Sequence, residues 1–209
     1  MLFDSTGRLL IRDGWTGNVR VSSGGPPTLL IDPPGGGWSH GLAIDSDDDI
    51  YVPSEDGVVR VYSPDGELIH DAFATGIQDG AHAWLAFTPG GAWGKVLLAL
   101  DTYELLRIDP GGVISVLGTG FGDANFMTFG PDGALYVSEA SRQRVLRITL
   151  ACPADIVDDD TVDVADLLVL LAKWGPCPPL MPCYGDVNGD RVVDTLDLLD
   201  LLAAWGPCP

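Results

Sequence analysis

The C-terminal stretch CYGDVNGDRVVDTLDLLDLLAAWGPCP (residues 183–209) determines how the last third of the chain folds. An earlier stretch, CPADIVDDDTVDVADLLVLLAKWGPCP (residues 152–178), aligns with it without gaps at a constant offset of 31 residues, so that Trp174 falls on Trp205. Self-similarity at a fixed offset indicates a structural repeat. The last third of the chain is therefore a tandem duplication, in which each copy is an acidic loop followed by an apolar segment.

The acidic loop of the second copy has the spacing of a calcium-binding loop. Side-chain oxygens occupy positions 1, 3, 5, 9 and 12 of twelve residues, and a backbone carbonyl is available at position 7. Hard oxygen ligands with no histidine nearby favour Ca²⁺ over zinc or copper. The predicted ligands are Asp186, Asn188, Asp190, the carbonyl of Val192, Asp194 and Asp197.

The first copy keeps most of this pattern. Its candidate ligands are Asp155, Asp159, the carbonyl of Thr161, Asp163 and Asp166.

Two features of the loops depart from the pattern. Position 6 needs a residue that tolerates a positive φ, usually glycine, but it is Asp160 in the first copy and Arg191 in the second. Position 3 of the first copy is Val157, which offers no side-chain oxygen. The alternative interpretation is a diverged repeat that keeps its helix packing and binds no metal.

An amphipathic helix is predicted after the second loop. Leucines recur with helical spacing, and Gly206-Pro207 ends the pattern. The leucines are Leu196, Leu198, Leu199, Leu201 and Leu202.

The combination of these features resembles a type I dockerin repeat, of which dockerins carry two. The carrying residues are Asp-x-Asn-x-Asp from Asp186, the apolar Val193 at position 8, and Asp197 at position 12 followed by a leucine pair. The resemblance covers residues 151–209 and implies one calcium ion per repeat. It also implies docking onto a cohesin-like protein through loop positions 10 and 11, which are Val164, Ala165, Thr195 and Leu196.

Four cysteines lie in this segment, and they form no C-x-x-C motif and have no accompanying histidine, which argues against zinc. Dockerin repeats pack with pseudo-twofold symmetry, so the resemblance implies the disulfides Cys152–Cys208 and Cys177–Cys183. Pairing within one repeat would have to span roughly 15 Å of helix. Two disulfides indicate an oxidising compartment.

The first 150 residues show a different period. Four strand-turn-strand stretches begin at Phe3, Ile44, Phe87 and Phe129, separated by 41, 43 and 42 residues. A second hairpin follows each of the first three, and the fourth unit stops after residues 144–150. A period of about 42 residues with four strands is typical of β-propeller blades.

The sequence pattern of the blades resembles that of NHL-repeat and gluconolactonase-like propellers. The best example runs Gly41-Leu-Ala-Ile-Asp45, Ile50-Tyr-Val52, Val59-Arg-Val61 and Ser63-Pro-Asp-Gly66. The resemblance covers residues 1–150. The resemblance to gluconolactonase-like enzymes implies a divalent metal held in the central channel by Glu, Asn and Asp.

Candidates for such channel chemistry sit in the loops that enter the inner strands. They are His40, His82, the run Asp123-Ala124-Asn125 and, at a strand end, Glu139. The alternative is that these are ordinary polar residues of turns. Four tryptophans could stack on a sugar or serve the core instead: Trp15, Trp38, Trp84 and Trp93.

The fourth blade lacks an outer strand, and no upstream segment is available to supply one. We therefore expect the sequence to be the C-terminal part of a longer secreted protein, whose signal peptide and first blades precede residue 1. The alternative is a four-bladed ring, or an open stack with unpaired edges.

The sequence thus predicts a multidomain protein. About four all-β propeller blades, an incomplete set, occupy residues 1–150, and a small all-α dockerin-like helix pair with calcium loops occupies residues 151–209. A net charge of −19 argues against nucleic-acid binding, and no stretch approaches the roughly 20 apolar residues of a membrane span.

The expected function is extracellular, non-catalytic attachment. The propeller would supply an interaction surface, and the C-terminal module would dock, with Ca²⁺, to a cohesin-like or other extracellular protein. The alternative is a carbohydrate-active or lactone-processing enzyme with an appended dockerin, acting in polysaccharide degradation. The sequence has no paired carboxylates in the arrangement that glycoside hydrolysis uses.

Overall fold

A computed structural model describes residues 1–34, 40–89, 93, 95–131, 133–149, 152–157, 159, 161–178 and 183–208. The chain divides into two compact units, Met1–Ile148 and Thr149–Pro209. Most regular structure is β, and the described residues contain two α-helices and one short 3-10 turn, Gly80–His82.

Four antiparallel sheets form the first unit, and the strands of each sheet are consecutive in the sequence. The first sheet comprises β1 (Leu2–Phe3), β2 (Leu9–Arg12), β3 (Val19–Ser22) and β4 (Thr28–Ile31). The second comprises β5 (Ala43–Ile44), β6 (Ile50–Pro53), β7 (Val58–Tyr62) and β8 (Leu68–Thr75). The third comprises β9 (Trp84–Phe87), β10 (Leu97–Leu100), β11 (Glu104–Ile108) and β12 (Ile114–Thr119). The fourth has β13 (Ala124–Phe129), β14 (Leu135–Glu139) and β15 (Arg144–Ile148).

The predicted period matches the register of these sheets. The residue that begins each predicted repeat is the last inner-strand residue before the first hairpin turn, and it pairs across that turn in every sheet. The pairs are Phe3↔Leu9, Ile44↔Ile50, Phe87↔Leu97 and Phe129↔Leu135. The prediction of about four propeller blades, the last of them without an outer strand, is confirmed for the described residues.

Aspartates shape the hairpin turns. The Oδ1 atom of Asp4 accepts hydrogen bonds from the backbone N–H groups of Thr6 and Arg8, at 3.0 and 2.8 Å. Asp45 and Asp109 accept the equivalent two bonds, from the residues two and four positions later. This side-chain substitute for a backbone turn explains why Asp recurs at the start of turns in the sequence.

Neighbouring sheets pack face to face through apolar side chains. Strand residues of the first and second sheets meet in one buried cluster, and those of the second and third meet in another. The first cluster contains Leu10, Val19, Ile31, Leu42, Ile50, Val52 and Tyr62. The second contains Ala43, Val59, Ala74, Ile77, Ala83, Leu85, Leu97, Ala99, Leu106 and Ile108.

The second unit is built around two short helices, α1 (Val164–Ala172) and α2 (Thr195–Ala203). It is not purely helical, which corrects the all-α expectation, because each loop also forms a two-residue strand with the segment after the other helix. β16 (Thr161–Val162) pairs with β19 (Gly206–Pro207), and β17 (Gly175–Pro176) pairs with β18 (Val192–Val193).

A shift of 31 residues exchanges these two strand pairs. Thr161↔Pro207 becomes Val192↔Pro176, so the duplicated sequence folds into two equivalent halves. The same exchange relates the disulfides Cys152–Cys208 and Cys177–Cys183, which are the pairs that the resemblance implied. Equivalent residues also supply the core, in which Val162 and Val193, and likewise Leu170 and Leu201, are fully buried.

Among the described residues, no helix combines the length and the apolar character that a membrane span needs.

We expect Asp4 to make the stability of the first unit depend on acid pH. Burial raises the pKa of Asp4, but hydrogen bonds from Arg8 and Thr6 outweigh this and lower it to about 2. Because the folded pKa lies below the ordinary value, the stabilisation is complete above about pH 4 and is lost as the pH falls towards 2. Asp4→Asn should therefore cost about 2 kcal/mol at pH 7 and less at pH 2.5.

Chemical denaturation at the two pH values measures this difference. Asp65→Asn, at an exposed turn residue, is the control. An equal cost of Asp4→Asn at both pH values would contradict the prediction.

Candidate functional site

The second acidic loop (residues 186–197) is curled around the side chain of Asp186. Its Oδ1 accepts hydrogen bonds from the backbone N–H groups of Gly189 and Asp190, at 2.9 and 3.0 Å, and its Oδ2 accepts one from Arg191 at 2.9 Å. One carboxylate thus orders the first half of the loop. The remaining lone pairs of its oxygens are the ones that a cation would use.

The next two loop residues continue the same pattern. Asn188 Oδ1 accepts from the N–H of Asp190 at 2.8 Å, and Asp190 Oδ1 accepts from Val192 at 2.9 Å. Arg191, which lies between Asp190 and Val192, has a φ of +73°, in the left-handed region that position 6 was predicted to need. The loop therefore adopts this conformation although its residue is not glycine.

Asp197 closes the loop from the helix side. It is fully buried, and its Oδ1 accepts from the N–H groups of Val187 and Asn188, at 2.7 and 3.1 Å. Its Oδ2 accepts from the N–H of Asp194 at 2.8 Å, while the Asp194 side chain caps the first turn of α2. The two ends of the loop and the start of the helix are thus held by one carboxylate.

The first loop (residues 155–166) repeats this arrangement. Asp166 is fully buried and accepts from the N–H groups of Ile156, Val157 and Asp163. Burial raises the pKa of Asp166, but these backbone hydrogen bonds outweigh it and hold the pKa below its usual value.

The remaining candidates of the first loop also bind its backbone. Asp155 accepts from Asp159, Asp159 accepts from Thr161, and Asp163 caps α1 through Ala165. Asp160, at position 6, lies outside the described residues.

The donor set of both loops fits calcium in kind, because every candidate ligand is an oxygen and position 6 of the second loop has the required conformation. In the described part of the chain, three ligating side chains come within 4.8 Å of one another at Cys177, Cys183 and Asp186. That group is no metal site, because the two cysteines form a disulfide. The described loop carboxylates form no such group by themselves, so calcium would have to draw their oxygens together.

Each helix leaves an apolar stripe exposed. Val164, Ala165, Thr195 and Leu196, which the resemblance assigned to partner binding, are all exposed. The exposed surface extends one and two turns further along both helices and ends at a tryptophan. The additional residues are Leu168, Leu171 and Trp174 after the first loop, and Leu199, Leu202 and Trp205 after the second. Sequence periodicity places these residues on helices, but it does not show which of them remain exposed.

In the propeller unit, the structure groups His40 with His82. Their ring centroids are 5.9 Å apart. The Nδ1 atom of His82 lies 2.9 Å from Asp79 Oδ1, and the hydroxyl of Thr102 donates to Asp79 Oδ2. This Thr–Asp–His chain was missed from the sequence, because its members come from two different loops.

Burial, hydrogen bonds and neighbouring charges shift two pKa values in this group. Burial raises the pKa of Asp79, but hydrogen bonds from Thr102 and His82 outweigh it and the pKa is lowered. The pKa of His40 is lowered by burial and by the nearby charges of His82 and Arg12. An uncharged His40 beside a carboxylate-oriented His82 is an arrangement that can accept or transfer a proton.

Asn125 lies elsewhere, in a surface depression of about 410 Å³ that it shares with Glu139 and Arg144. Glu139 is buried, although a glutamate at a strand end is usually solvated. The reason is that its carboxylate accepts from Gly122 N–H at 2.6 Å, from Arg142 at 3.0 Å and from Arg144. The pKa of Glu139 is lowered, chiefly because Arg144 donates a hydrogen bond to its carboxylate.

The inner strands line a cavity of about 440 Å³. Its described lining is apolar apart from Thr128, and includes Leu42, Trp84, Phe87 and Phe126. A lining without carboxylate or amide side chains does not fit the divalent metal that the gluconolactonase-like resemblance implied.

The tryptophans divide between core and surface. Trp93 is buried and donates its indole N–H to the carbonyl of Gly133 at 3.1 Å, and Trp84 packs on Phe126. Trp15 is exposed. Trp38 lies outside the described residues.

Comparison with known proteins relates the first unit to solved propellers. No protein-family profile and no curated protein sequence matches this chain. Among solved structures, the chain is similar to a streptogramin B lyase, with 17% identity over 71% of this chain and 50% of that chain and a TM-score of 0.57. It is also similar to virginiamycin B lyase from Staphylococcus aureus, with 16% identity over 71% of this chain and 51% of that chain and a TM-score of 0.57.

A third similar structure comes from Thermus thermophilus and is described as an oxidoreductase (glucose dehydrogenase). It shares 19% identity over 69% of this chain and 63% of that chain, with a TM-score of 0.52. The similar structures are β-propellers of the NHL and gluconolactonase-like type. At these identities the likeness concerns the fold alone, and the chain spans about half the length of the two lyases.

We expect the left-handed conformation of Arg191 to be costly. A residue with an ordinary side chain pays about 1–2 kcal/mol in this region, and asparagine pays less. Arg191→Asn should therefore stabilise the second unit by about 0.5–1 kcal/mol in thermal unfolding. Arg191→Ala is the matched control, because it removes the same charge and keeps the conformational cost. Equal stability of the two variants would contradict the conformational explanation.

Proposed function

We propose that this protein is an extracellular, non-catalytic attachment protein. In this proposal the propeller unit presents a binding surface, and the C-terminal unit is a calcium-binding, dockerin-like module that docks onto a cohesin-like or other extracellular protein. The observation that carries it is the pairing, in each repeat, of an acidic loop with an exposed apolar stripe on the helix that follows.

Calcium has a defined task in this proposal. The second loop gathers Asp186, Asp190 and Asp194 within nine residues, and the net charge of the whole chain is −19. A divalent cation would neutralise this repulsion and fix the loop against its helix. The ligands would be the oxygens of Asp186, Asn188, Asp190, Val192, Asp194 and Asp197, with the first loop contributing its own set of oxygens.

The exposed stripes support docking. Leu168 and Leu199 lie in the middle of their helices and are 61% and 57% exposed. An exposed leucine at such a position does not stabilise the isolated module, so these residues indicate an interaction surface. A partner that covers such a stripe buries apolar area in the manner of helix recognition. The stripes are related by the 31-residue exchange, so each half of the module offers an equivalent surface.

The disulfides support an extracellular location. All four cysteines are paired, and such bonds persist in oxidising compartments and are rare in the cytosol.

A second candidate function is catalysis by the propeller, as a lyase, lactonase or carbohydrate-active enzyme. The observation that favours it is the Thr102–Asp79–His82 chain beside His40. The wild-type chain should then turn over a lactone, streptogramin B or a polysaccharide, and His82→Gln should abolish that turnover. An unreactive wild type on all three would remove this candidate.

We expect calcium to bind the full oxidised chain at one or two sites. Calorimetric titration after chelator treatment should show saturable binding, and thermal unfolding of the second unit should shift upwards with calcium. Asp190→Ala should remove the site of the second loop, and Asp159→Ala that of the first. Asp200→Ala, on the exposed face of α2, is the control and should bind as the wild type does. Absence of both heat and thermal shift would refute calcium binding.

We expect docking to need the apolar stripes. The double variant Leu168→Asp/Leu199→Asp should bind at least about tenfold more weakly to a panel of type I cohesin domains with calcium present, because apolar contacts at the interface centre dominate affinity. Leu117→Asp, at an exposed leucine of the propeller unit, is the matched control. Unchanged binding of the double variant, or no binding of the wild type to any member, would count against docking by these helices.

A further inference from the structure

The cavity of about 440 Å³ among the inner strands is formed by equivalent residues of the repeated blades. Residues 42–44, 85–87 and 127–129 line it, together with the first two residues of the chain. These segments follow one another at offsets of 41, 43 and 42 residues, so each blade contributes the same positions of its inner strand. The cavity is therefore a regular feature of the repeat, and its volume lies within the range of about 300–1,000 Å³ that is typical of small-molecule sites.

The lining combines a buried apolar base with exposed apolar side chains. Leu42, Leu85 and Met127 occupy one repeat position and are all buried. Leu2 and Phe126 also line the cavity, but they are 37% and 42% exposed. Large apolar side chains that remain accessible in a concave site indicate that a ligand with apolar surface covers them.

Aromatic side chains form one wall of the cavity. Trp84 and Phe126 occupy the same position in the third and fourth blades, and their ring centroids are 4.6 Å apart. The equivalent residue of the second blade is Gly41, where an added Cβ would come within 2.5 Å of the carbonyl oxygen of Ala83. The second blade therefore has no room for a side chain at this position, and the aromatic wall belongs to the third and fourth blades.

The lining disfavours charged ligands. No side chain among the described lining residues is ionisable, and the one hydroxyl is that of Thr128. Burial lowers the pKa of the α-amino group of Met1, which disfavours its charged form. Transfer of a charged group from water into such surroundings is strongly unfavourable without a counter-charge. The net charge of −19 opposes anions in addition.

The backbone supplies hydrogen-bonding groups to the same cavity. The inner strands β1, β5, β9 and β13 are edge strands, each hydrogen-bonded within its sheet on one side. Alternate N–H and C=O groups of an edge strand have no strand partner and can bind a ligand. A ligand with one neutral hydrogen-bonding group therefore matches the cavity better than a pure hydrocarbon.

We propose that this cavity binds a neutral aromatic small molecule that carries a hydroxyl or N–H group. Its ring packs against Trp84 and Phe126 and over Leu42, Leu85 and Met127, and its polar group bonds to the backbone of an inner strand. The site lies wholly within the first unit. It goes beyond the proposed attachment function and holds whether or not the second unit docks.

Two dyes with the same ring skeleton test the site in the full chain, with a chelator present so that calcium plays no part. N-phenylnaphthylamine is neutral, and anilinonaphthalene sulfonate adds one negative charge. We expect the neutral dye to gain fluorescence and to saturate, and the sulfonated dye to bind at least about tenfold more weakly. No saturable binding of the neutral dye, or equal affinity for both dyes, would overturn the proposal.

Substitutions in the lining locate the dye. Thr128→Phe fills the cavity from an exposed position and should weaken binding of the neutral dye at least about tenfold. Thr119→Phe makes the same change at an exposed residue of β12 outside the lining and should bind as the wild type does. Phe126→Ala removes a ring of the aromatic wall and should weaken binding several-fold, which keeps the test open if Thr128→Phe does not fold. Wild-type affinity in both lining variants would overturn the site.

The exposed helix stripes of the second unit are another apolar surface that the dye could reach. Leu168→Asp/Leu199→Asp removes two leucines of these stripes and leaves the cavity unchanged. This double variant should bind the neutral dye as the wild type does. Loss of binding here, with binding retained in Thr128→Phe, would assign the dye to the second unit and overturn the cavity site.

Competition distinguishes an aromatic ligand from an aliphatic one. Naphthol and its saturated analogue decahydronaphthol share a carbon skeleton and a hydroxyl group. Naphthol should displace the neutral dye at a several-fold lower concentration, because a flat ring can stack on Trp84 and Phe126. Equal potency of the two competitors would overturn the aromatic part of the proposal.

Discussion

A twisted four-stranded sheet with apolar side chains on both faces cannot shield them by itself, and the first unit depends on this constraint. Its second sheet solves it by stacking on both sides, so that Val52 faces the first sheet and Val59 faces the third. Both are fully buried. The regular 42-residue period follows from the same requirement, because each sheet must present matching faces to the sheets on either side.

The sheets at the two ends show what happens where stacking stops among the described residues. Phe3 and Leu29 of the first sheet, and Phe126 and Val145 of the fourth, are between 42% and 71% exposed. In the second and third sheets, the strands β6 and β10 are largely buried, and the exposed apolar side chains, among them Leu68 and Leu117, lie on the outer strands β8 and β12. The stacking constraint therefore accounts for the well-buried strands in the middle of this unit.

Sequence reasoning worked where a physical signal repeats along the chain. The Asp-rich turns and the 42-residue period identified the hairpins, and the 31-residue duplication identified the helices and the need for a positive φ at Arg191. It failed where the decisive partner is distant in sequence. Thr102 reaches Asp79 across 23 residues, and Glu139 is buried because Gly122 donates to it from another loop.

Burial of polar groups was likewise beyond the sequence. Arg12 and Arg60 are both strand arginines within apolar patterns, yet one acquires two carboxylates and the other, among the described residues, acquires none. Only the packing of one blade on the next decides which charges are paired. The candidate calcium ligands are different in kind, because those of each loop lie within twelve residues of one another and their grouping is a local property of the chain.

The two disulfides add covalent connections to the second unit, which the packing of its small core cannot supply. Cys152–Cys208 joins the beginning of the first repeat to the end of the second, and Cys177–Cys183 bridges the connection between them. The whole duplicated module is therefore one covalent ring. A single peptide-bond cut anywhere inside it, including within an exposed acidic loop, opens the ring without dividing the molecule. Both helices would stay tethered to the rest of the chain, so a module of this design remains one molecule after its first proteolytic cut.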